Sequence, residues 1–353
     1  MTVRVAINGF GRIGRSVFRI LSDHQDIEVV CINDIFENEA LAYLLKYDTV
    51  MGTFNKQVTF DDQALYVDSK RVLMTSLRDP AQAAWKELAI DVVVESTGKF
   101  TTRQELEKHL TAGAGRVLLT VPPNDTIDYM VVVGVNDQEL KREHRLVSNA
   151  SCTTNCLAPL AKVLDEAFTI RHGIMTTVHA YTNDQRLADI PHTDFRRSRA
   201  AAENIIPTTT GAARAVGVVL PKLKGKLDGI AARVPVSDGS VVDLVVQFEQ
   251  QPDRDAINAA VRHAADGPLK GVLEYSEAPL VSSDIISNPH SSIFDSLVTQ
   301  SMGVRDHRGL EERGGFLVEP GEIGLAPLEE ARDGIDQNAK GRLAQLAAGL
   351  AER

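Results

Sequence analysis

Cysteine is sparse. The 353-residue chain has three, Cys31, Cys152 and Cys156. They are too few for a disulfide framework, which points to a reducing compartment and makes the cytoplasm the expected location. Cys152 and Cys156 stand one helical turn apart, but no further Cys or His lies near them in the sequence, so no metal is expected. Positive charge is also in deficit: 38 Lys and Arg against 48 Asp and Glu leave a net charge of −10. That balance argues against nucleic acid or a membrane surface as a partner. Any anionic ligand must then be held by local Arg clusters and helix ends. No apolar run approaches membrane-spanning length. The chain enters a strand at Val3, so no signal peptide is expected. Internal repeats and low-complexity blocks are missing as well.

A hydrophobic content of 43% and a charged content of 24% are those of an ordinary globular protein, and the length predicts two domains. The first half alternates apolar runs with helical periodicity. Val3-Arg4-Val5-Ala6-Ile7 is a short apolar strand, followed by Asn8-Gly9-Phe10-Gly11-Arg12-Ile13-Gly14 and a helical stretch to Leu21. In this G-x-G-x-x-G pattern Gly9 permits the tight turn, Gly11 lets backbone approach a pyrophosphate, and Gly14 allows close helix–strand packing. The phosphates would rest on the N–H groups of Arg12 and Ile13. A second strand, residues 28–33, ends at Asp34, twenty residues past Gly14. A carboxylate there accepts from both ribose hydroxyls and repels a 2′-phosphate, which predicts NAD over NADP. Arg78 follows in a polar loop. Buried parallel strands are expected at 91–95 and 116–121, with Thr97 and Thr120 at their ligand-binding ends, and further strands at 130–135 and 145–148.

The stretch Ser148-Asn149-Ala150-Ser151-Cys152-Thr153-Thr154-Asn155-Cys156 opens a helix, since Leu157, Leu160, Ala161, Val163 and Leu164 continue at helical spacing. Ser151 suits the N-cap. Cys152 then sits in the first turn, beside unpaired N–H groups and the positive end of the dipole, a setting that turns a thiol into a nucleophile. Residues 173–179 form a strand ending in His179. A polar stretch, 181–204, carries four Arg and is too long for an idle connection. Residues 240–249 alternate as in an antiparallel sheet packed on one face. The fold class is therefore α/β: a parallel dinucleotide-binding domain, 1–148, then an α+β domain with a mainly antiparallel sheet, 149–303, and an atypical tail, 304–353.

The motifs S-N-A-S-C-T-T-N-C at 148–156, N-G-F-G-R-I-G at 8–14, T-T-V-H at 176–179 and T-T-T-G-A-A at 208–213 resemble those of phosphorylating glyceraldehyde-3-phosphate dehydrogenases, over about residues 3–297. The resemblance implies a Rossmann-type first domain and roles for single residues. Arg12, Ile13, Asp34, Arg78 and Thr120 would touch NAD, and Asn183 would reach it from the polar stretch. Cys152 would be the nucleophile and His179 the base. Thr182 and Arg233 would hold the substrate phosphate; Ser151, Thr153, Arg197, Thr210 and Gly211 would hold the attacking inorganic phosphate. The 181–204 stretch resembles the family's S-shaped loop at the centre of a homotetramer. The chemistry fits these residue types. A thiolate converts the aldehyde of glyceraldehyde 3-phosphate to a hemithioacetal and then a thioester, and two anions require two forked cations.

The end of the chain departs from the family. The family's Trp-Tyr-Asp-Asn-Glu-Trp-Gly-Tyr motif, whose Asn orients the nicotinamide amide and whose Tyr lines the ring, is absent: the one Trp is Trp85, and Asn338 is the only Asn in the tail. The tail shows a helical period over 340–350. Without the family's last strand, an unpaired edge is expected in the second sheet. Two rivals accompany the main reading: an erythrose-4-phosphate dehydrogenase and an inactive NAD-binding homologue.

Overall fold

The computed structural model describes residues 2–301 and, beyond them, only the backbone of Glu312–Arg313 and Leu317–Glu319. The chain divides into two compact units. One comprises Met1–Val131 and Gln138–Ala150; the other takes Val132–Asp137 and the chain from Ser151 through the last described residues. The helical period over 340–350 and Asn338 lie outside the described residues.

In the first unit nine strands form one sheet, in the order Tyr129–Met130, Leu146–Ser148, Arg116–Leu119, Val92–Glu95, Val3–Asn8, Ile27–Asn33, Lys70–Thr75, Ala64–Val67 and Val58–Phe60. Pairing is parallel as far as Lys70–Thr75 and antiparallel beyond it. Val92–Glu95 is buried along its whole length, as a parallel strand covered on both faces requires. One expected strand shrinks. Of 130–135 only Met130 stays in the sheet, paired beside Tyr129. Val131 and Val132 are buried, and the chain turns at Gly134, with φ +80°. The apolar run there reflects burial without pairing.

The ends of the central strands are locked by a buried polar network. Glu95, fully buried, accepts from Asn8 Nδ2 at 2.5 Å, from the Thr97 N–H at 2.9 Å and from the Thr97 hydroxyl. Trp85 donates its indole N–H to His109 Nδ1 at 3.1 Å. An indole nitrogen only donates, so His109 holds its proton on Nε2 and gives it to Glu95 at 3.0 Å. Asn8 Oδ1 in turn accepts from Asn33 Nδ2 at 2.7 Å. The network fixes three neighbouring strand ends at the point where the glycine-rich turn leaves the sheet.

The second unit holds a mainly antiparallel sheet in the order Ile206–Thr209, Leu227–Val234, Ile170–Ala180, Ser240–Phe248, Leu317–Glu319, Ser292–Asp295 and Leu273–Ser276. Glu312–Arg313 also pairs with Ser240–Phe248. The alternation of Ser240–Phe248 is met, with Val242, Leu244, Val246 and Phe248 all buried. The expected open edge is not. Leu317–Glu319 pairs antiparallel with both Ser240–Phe248 and Ser292–Asp295, so the tail supplies a strand to the slot. The tail lacks the Trp-Tyr-Asp-Asn-Glu-Trp-Gly-Tyr motif, but a strand needs only extended backbone and free ladder groups.

The three glycines of the turn do different work. A Cβ on Gly14 would stand 2.1 Å from the Gly9 carbonyl oxygen, and one on Gly9, where φ is +93°, would stand 2.7 Å from the Thr97 nitrogen; one on Gly11 meets nothing within 4 Å. Gly14→Ala is therefore expected to cost about 1–3 kcal/mol of stability, the range for overpacking, whereas Gly11→Ala meets no clash and costs about 1 kcal/mol or less, the preference of an N-cap for Gly over Ala. Urea midpoints of the two variants check this; equal midpoints would contradict the contact at Gly14.

Candidate active site

The Cys152 helix begins at a forced turn. After Leu146–Ser148, Ala150 adopts φ +58°, a left-handed conformation that is uncommon for a residue with a Cβ. Ser151 then caps the helix Cys152–Phe168, its Oγ accepting the Thr154 N–H at 3.1 Å. Cys152 takes the first helical position and Thr153 the second, where backbone N–H groups have no partner within the helix. The Thr154 hydroxyl donates to the Ala212 carbonyl at 3.4 Å. That contact brings in the start of a second helix, Ala212–Val219, whose N-cap is Gly211. Thr210 Oγ1 accepts the Ala212 N–H at 3.2 Å. The starts of the two helices thus meet at Thr154, two residues from Cys152.

The three thiols differ sharply. Cys31 and Cys156 are fully buried, and burial pushes the Cys31 thiol up to about 11, so it stays protonated. Cys152 alone is partly exposed. Its Sγ lies 3.4 Å from His179 Nε2. His179 ends the strand Ile170–Ala180, which pairs in parallel with Leu227–Val234 so that His179 stands opposite Arg233. His179 Nδ1 is 2.7 Å from the Ala180 carbonyl oxygen and 2.8 Å from Arg233 Nη1, and Nη1 donates to the same carbonyl at 3.0 Å. Burial, and then the Arg233 charge, lower the His179 pKa from 6.5 to about 4. The imidazole is neutral at neutral pH.

A second cationic group is assembled from the 181–204 stretch. Arg197 Nη1 donates to Asp184 at 3.1 Å and its Nε to Thr208 Oγ1 at 3.1 Å, with Asp194 at 3.6 Å. Thr208 Oγ1 donates to Asp194 at 2.7 Å, and the Thr182 hydroxyl donates to Asp184. Burial raises the Asp184 pKa, but the Thr182 hydroxyl and the charges of Arg197 and Arg233 outweigh it, and the net shift is downward. Asp184 is therefore held as a carboxylate against Arg197. Asn183 is exposed, and its carbonyl accepts from Arg186 at 2.7 Å. Asp184, Asp194 and Thr208 are absent from the residues singled out in the sequence. The acids are interspersed among the Arg residues there, and only the folded loop shows which Arg each one meets.

The first unit offers a cradle suited to a dinucleotide. Gly11 is the N-cap of the helix Arg12–Leu21 and makes no side-chain cap bond. The space where its Cβ would be is open, as close approach of a pyrophosphate to the N–H groups of Arg12 and Ile13 requires. Asp34, at the end of Ile27–Asn33, accepts the Phe10 N–H at 2.6 Å through Oδ2 and the Phe36 N–H at 3.1 Å through Oδ1, which fixes it against the glycine turn. The Thr120 hydroxyl donates to the Glu95 carbonyl at 3.1 Å, and Arg78 is exposed. Among the described residues no group of three or more His, Cys, Asp or Glu could hold a metal ion. No described helix is long and apolar enough to cross a membrane.

A family model described as glyceraldehyde 3-phosphate dehydrogenase, NAD binding domain, matches residues 3–103, and one described as the C-terminal domain of the same enzyme matches 151–309. The chain is 54% identical over 304 residues to glyceraldehyde-3-phosphate dehydrogenase 2 of Streptomyces avermitilis, spanning 86% of this chain and 90% of that protein. It is 54% identical over 300 residues to the glyceraldehyde-3-phosphate dehydrogenase of Geobacillus stearothermophilus, spanning 85% and 89%. With glyceraldehyde-3-phosphate dehydrogenase 1 of Bacillus subtilis the identity is 52% over 303 residues. A chain that matches both family models and shares this identity over most of its length belongs to the glyceraldehyde-3-phosphate dehydrogenase family.

Proposed function

We propose that the chain is an NAD-dependent, phosphorylating dehydrogenase that oxidises D-glyceraldehyde 3-phosphate with inorganic phosphate to 1,3-bisphosphoglycerate, a step of glycolysis and gluconeogenesis. The observation that carries this reading is a partly exposed thiol at a capped helix start, 3.4 Å from a buried, neutral imidazole. Gly9, Gly11, Arg12, Ile13, Gly14, Asp34, Arg78, Thr120 and Asn183 would hold NAD, which would supply the oxidant. The chain's own residues do the rest. Cys152 adds as thiolate to the aldehyde carbon, its charge supported by the helix N-terminus. The His179 Nε2–H supports the oxyanion that forms. The bare nitrogen then takes the proton of the hemithioacetal hydroxyl as the carbon is oxidised to a thioester. Arg233 and Thr182 hold the substrate phosphate. Ser151, Thr153, Arg197, Thr210 and Gly211 hold the inorganic phosphate that attacks the thioester, with Arg197 leaving Asp184 to meet it. The relatives' names favour glyceraldehyde 3-phosphate over erythrose 4-phosphate. The 181–204 stretch exposes Leu187 and Phe195 by 82% and 85%, which supports burial against further copies of the chain in a homotetramer. Three free cysteines support the cytoplasm as its location.

Formation of reduced nicotinamide, followed with glyceraldehyde 3-phosphate or erythrose 4-phosphate and with or without phosphate, tests the reading. Cys152→Ser should abolish phosphorylating oxidation while NAD affinity stays within a few fold, since a serine hydroxyl stays protonated where a thiol ionises. Cys156→Ser, a turn deeper, should keep most of the activity. Substantial turnover by Cys152→Ser rules out the covalent route.

The pH profile follows from His179. The native imidazole takes up a proton only near pH 4, whereas the unfolded chain does so near 6.5. This residue therefore costs no stability above pH 6.5, and costs progressively more as pH falls from there towards 4. The base is likewise unprotonated throughout that window. The acid limb of kcat/KM is expected below pH 6.5, and Arg233→Leu, which removes the second cause of the depression, should move it upward. A wild-type acid limb at or above 6.5 would contradict the buried neutral imidazole.

A further inference from the structure

His179 is asked to do two opposite things with one atom. To support an oxyanion its Nε2 must carry a proton; to take the hydroxyl proton Nε2 must be bare. A neutral imidazole has one N–H to place, and Nδ1 is offered two partners that demand opposite placements. The Ala180 carbonyl oxygen, 2.7 Å from Nδ1, can only accept, so it requires Nδ1–H and leaves Nε2 bare towards Cys152. Arg233 Nη1, 2.8 Å from Nδ1, can only donate, so it requires a bare Nδ1 and places the proton on Nε2. The two demands exclude each other on one ring.

We infer that Arg233 is a gate on the base: while its guanidinium faces His179 the proton sits on Nε2, and when an anion draws the guanidinium away the proton moves to Nδ1 and frees Nε2. The inference rests on the reading of Arg233 as the substrate-phosphate ligand and adds a second role to it. The charge balance is simple. One proton leaves Nε2 for water and one reaches Nδ1 from water, so the ring is neutral before and after. The Ala180 carbonyl is in place for both states, since it accepts from Nη1 at 3.0 Å in the first and from Nδ1–H in the second. Register makes the coupling direct: parallel pairing sets His179 opposite Arg233, so no intervening group has to move. For Nε2–H to support the oxyanion first, the substrate phosphate must draw Arg233 away only after the thiolate has added; it then arms the base that acts on the substrate's own other end, and an aldehyde without phosphate would leave that base unarmed.

The ring nitrogens of ¹⁵N-histidine-labelled full-length protein report the tautomer directly, with the His179 signals assigned by difference from His179→Asn. The probe is sn-glycerol 3-phosphate, a phosphate monoester without an aldehyde. The free wild type is expected mainly as Nε2–H and the saturated wild type mainly as Nδ1–H. Arg233→Leu should be Nδ1–H already, and the ester should leave it unmoved. The same tautomer in free and saturated wild type would overturn the gate, as would Nε2–H in Arg233→Leu. Failure of the ester to saturate the wild type, while glyceraldehyde 3-phosphate is still turned over, would overturn the gate and leave the proposed activity standing. Loss of the activity with the tautomer shift intact would do the reverse.

Discussion

The active site is governed by a concentration of positive charge in an acidic protein. A chain of net charge −10 brings two helix starts together through the Thr154–Ala212 hydrogen bond and adds Arg197 to that unit's field, with Arg233 beside His179. Without a ligand such a field opposes folding, because like charges repel. Asp184 and Asp194 answer it, holding Arg197 between them. In the proposed function an arriving phosphate would exchange one anion for another at Arg197. The ion pairs of Arg197 are partly exposed and therefore individually weak, which would suit carboxylates that give way to a substrate.

The parts of this fold most legible in the sequence are those fixed by backbone sterics. The spacing of Gly9, Gly11 and Gly14 foretold one turn, one open approach and one close packing contact, because a missing Cβ has a local geometric meaning. The Ser151 cap and the alternation of Ser240–Phe248 were readable for the same reason: each depends on neighbours along the chain. Pairings across sequence distance were not. The opposition of His179 and Arg233 is set by strand register over 54 residues, and His109 comes between Glu95 and Trp85 only once a helix is packed on the sheet. The tail shows the opposite failure. Judged by motif it leaves an edge open, yet Leu317–Glu319 pairs there as a strand.

Burial of His179 places a limit on how the thiol loses its proton. Burial and the Arg233 charge make His179 a weaker base than a free imidazole, which disfavours passing the Cys152 proton to the ring. The helix terminus offsets part of that by stabilising the thiolate. The thiol proton therefore goes to solvent unless the thiolate and imidazolium stabilise each other strongly enough to titrate as one pair. In the first case the neutral ring still serves, since an Nε2–H facing sulfur is a donor to the thiolate. In the proposed mechanism the low basicity of His179 matters again, when it would take a hydroxyl proton that becomes acidic only as its carbon is oxidised. A base whose pKa is held below the working pH gives up driving force in that transfer but releases its proton readily afterwards, as the next cycle would require.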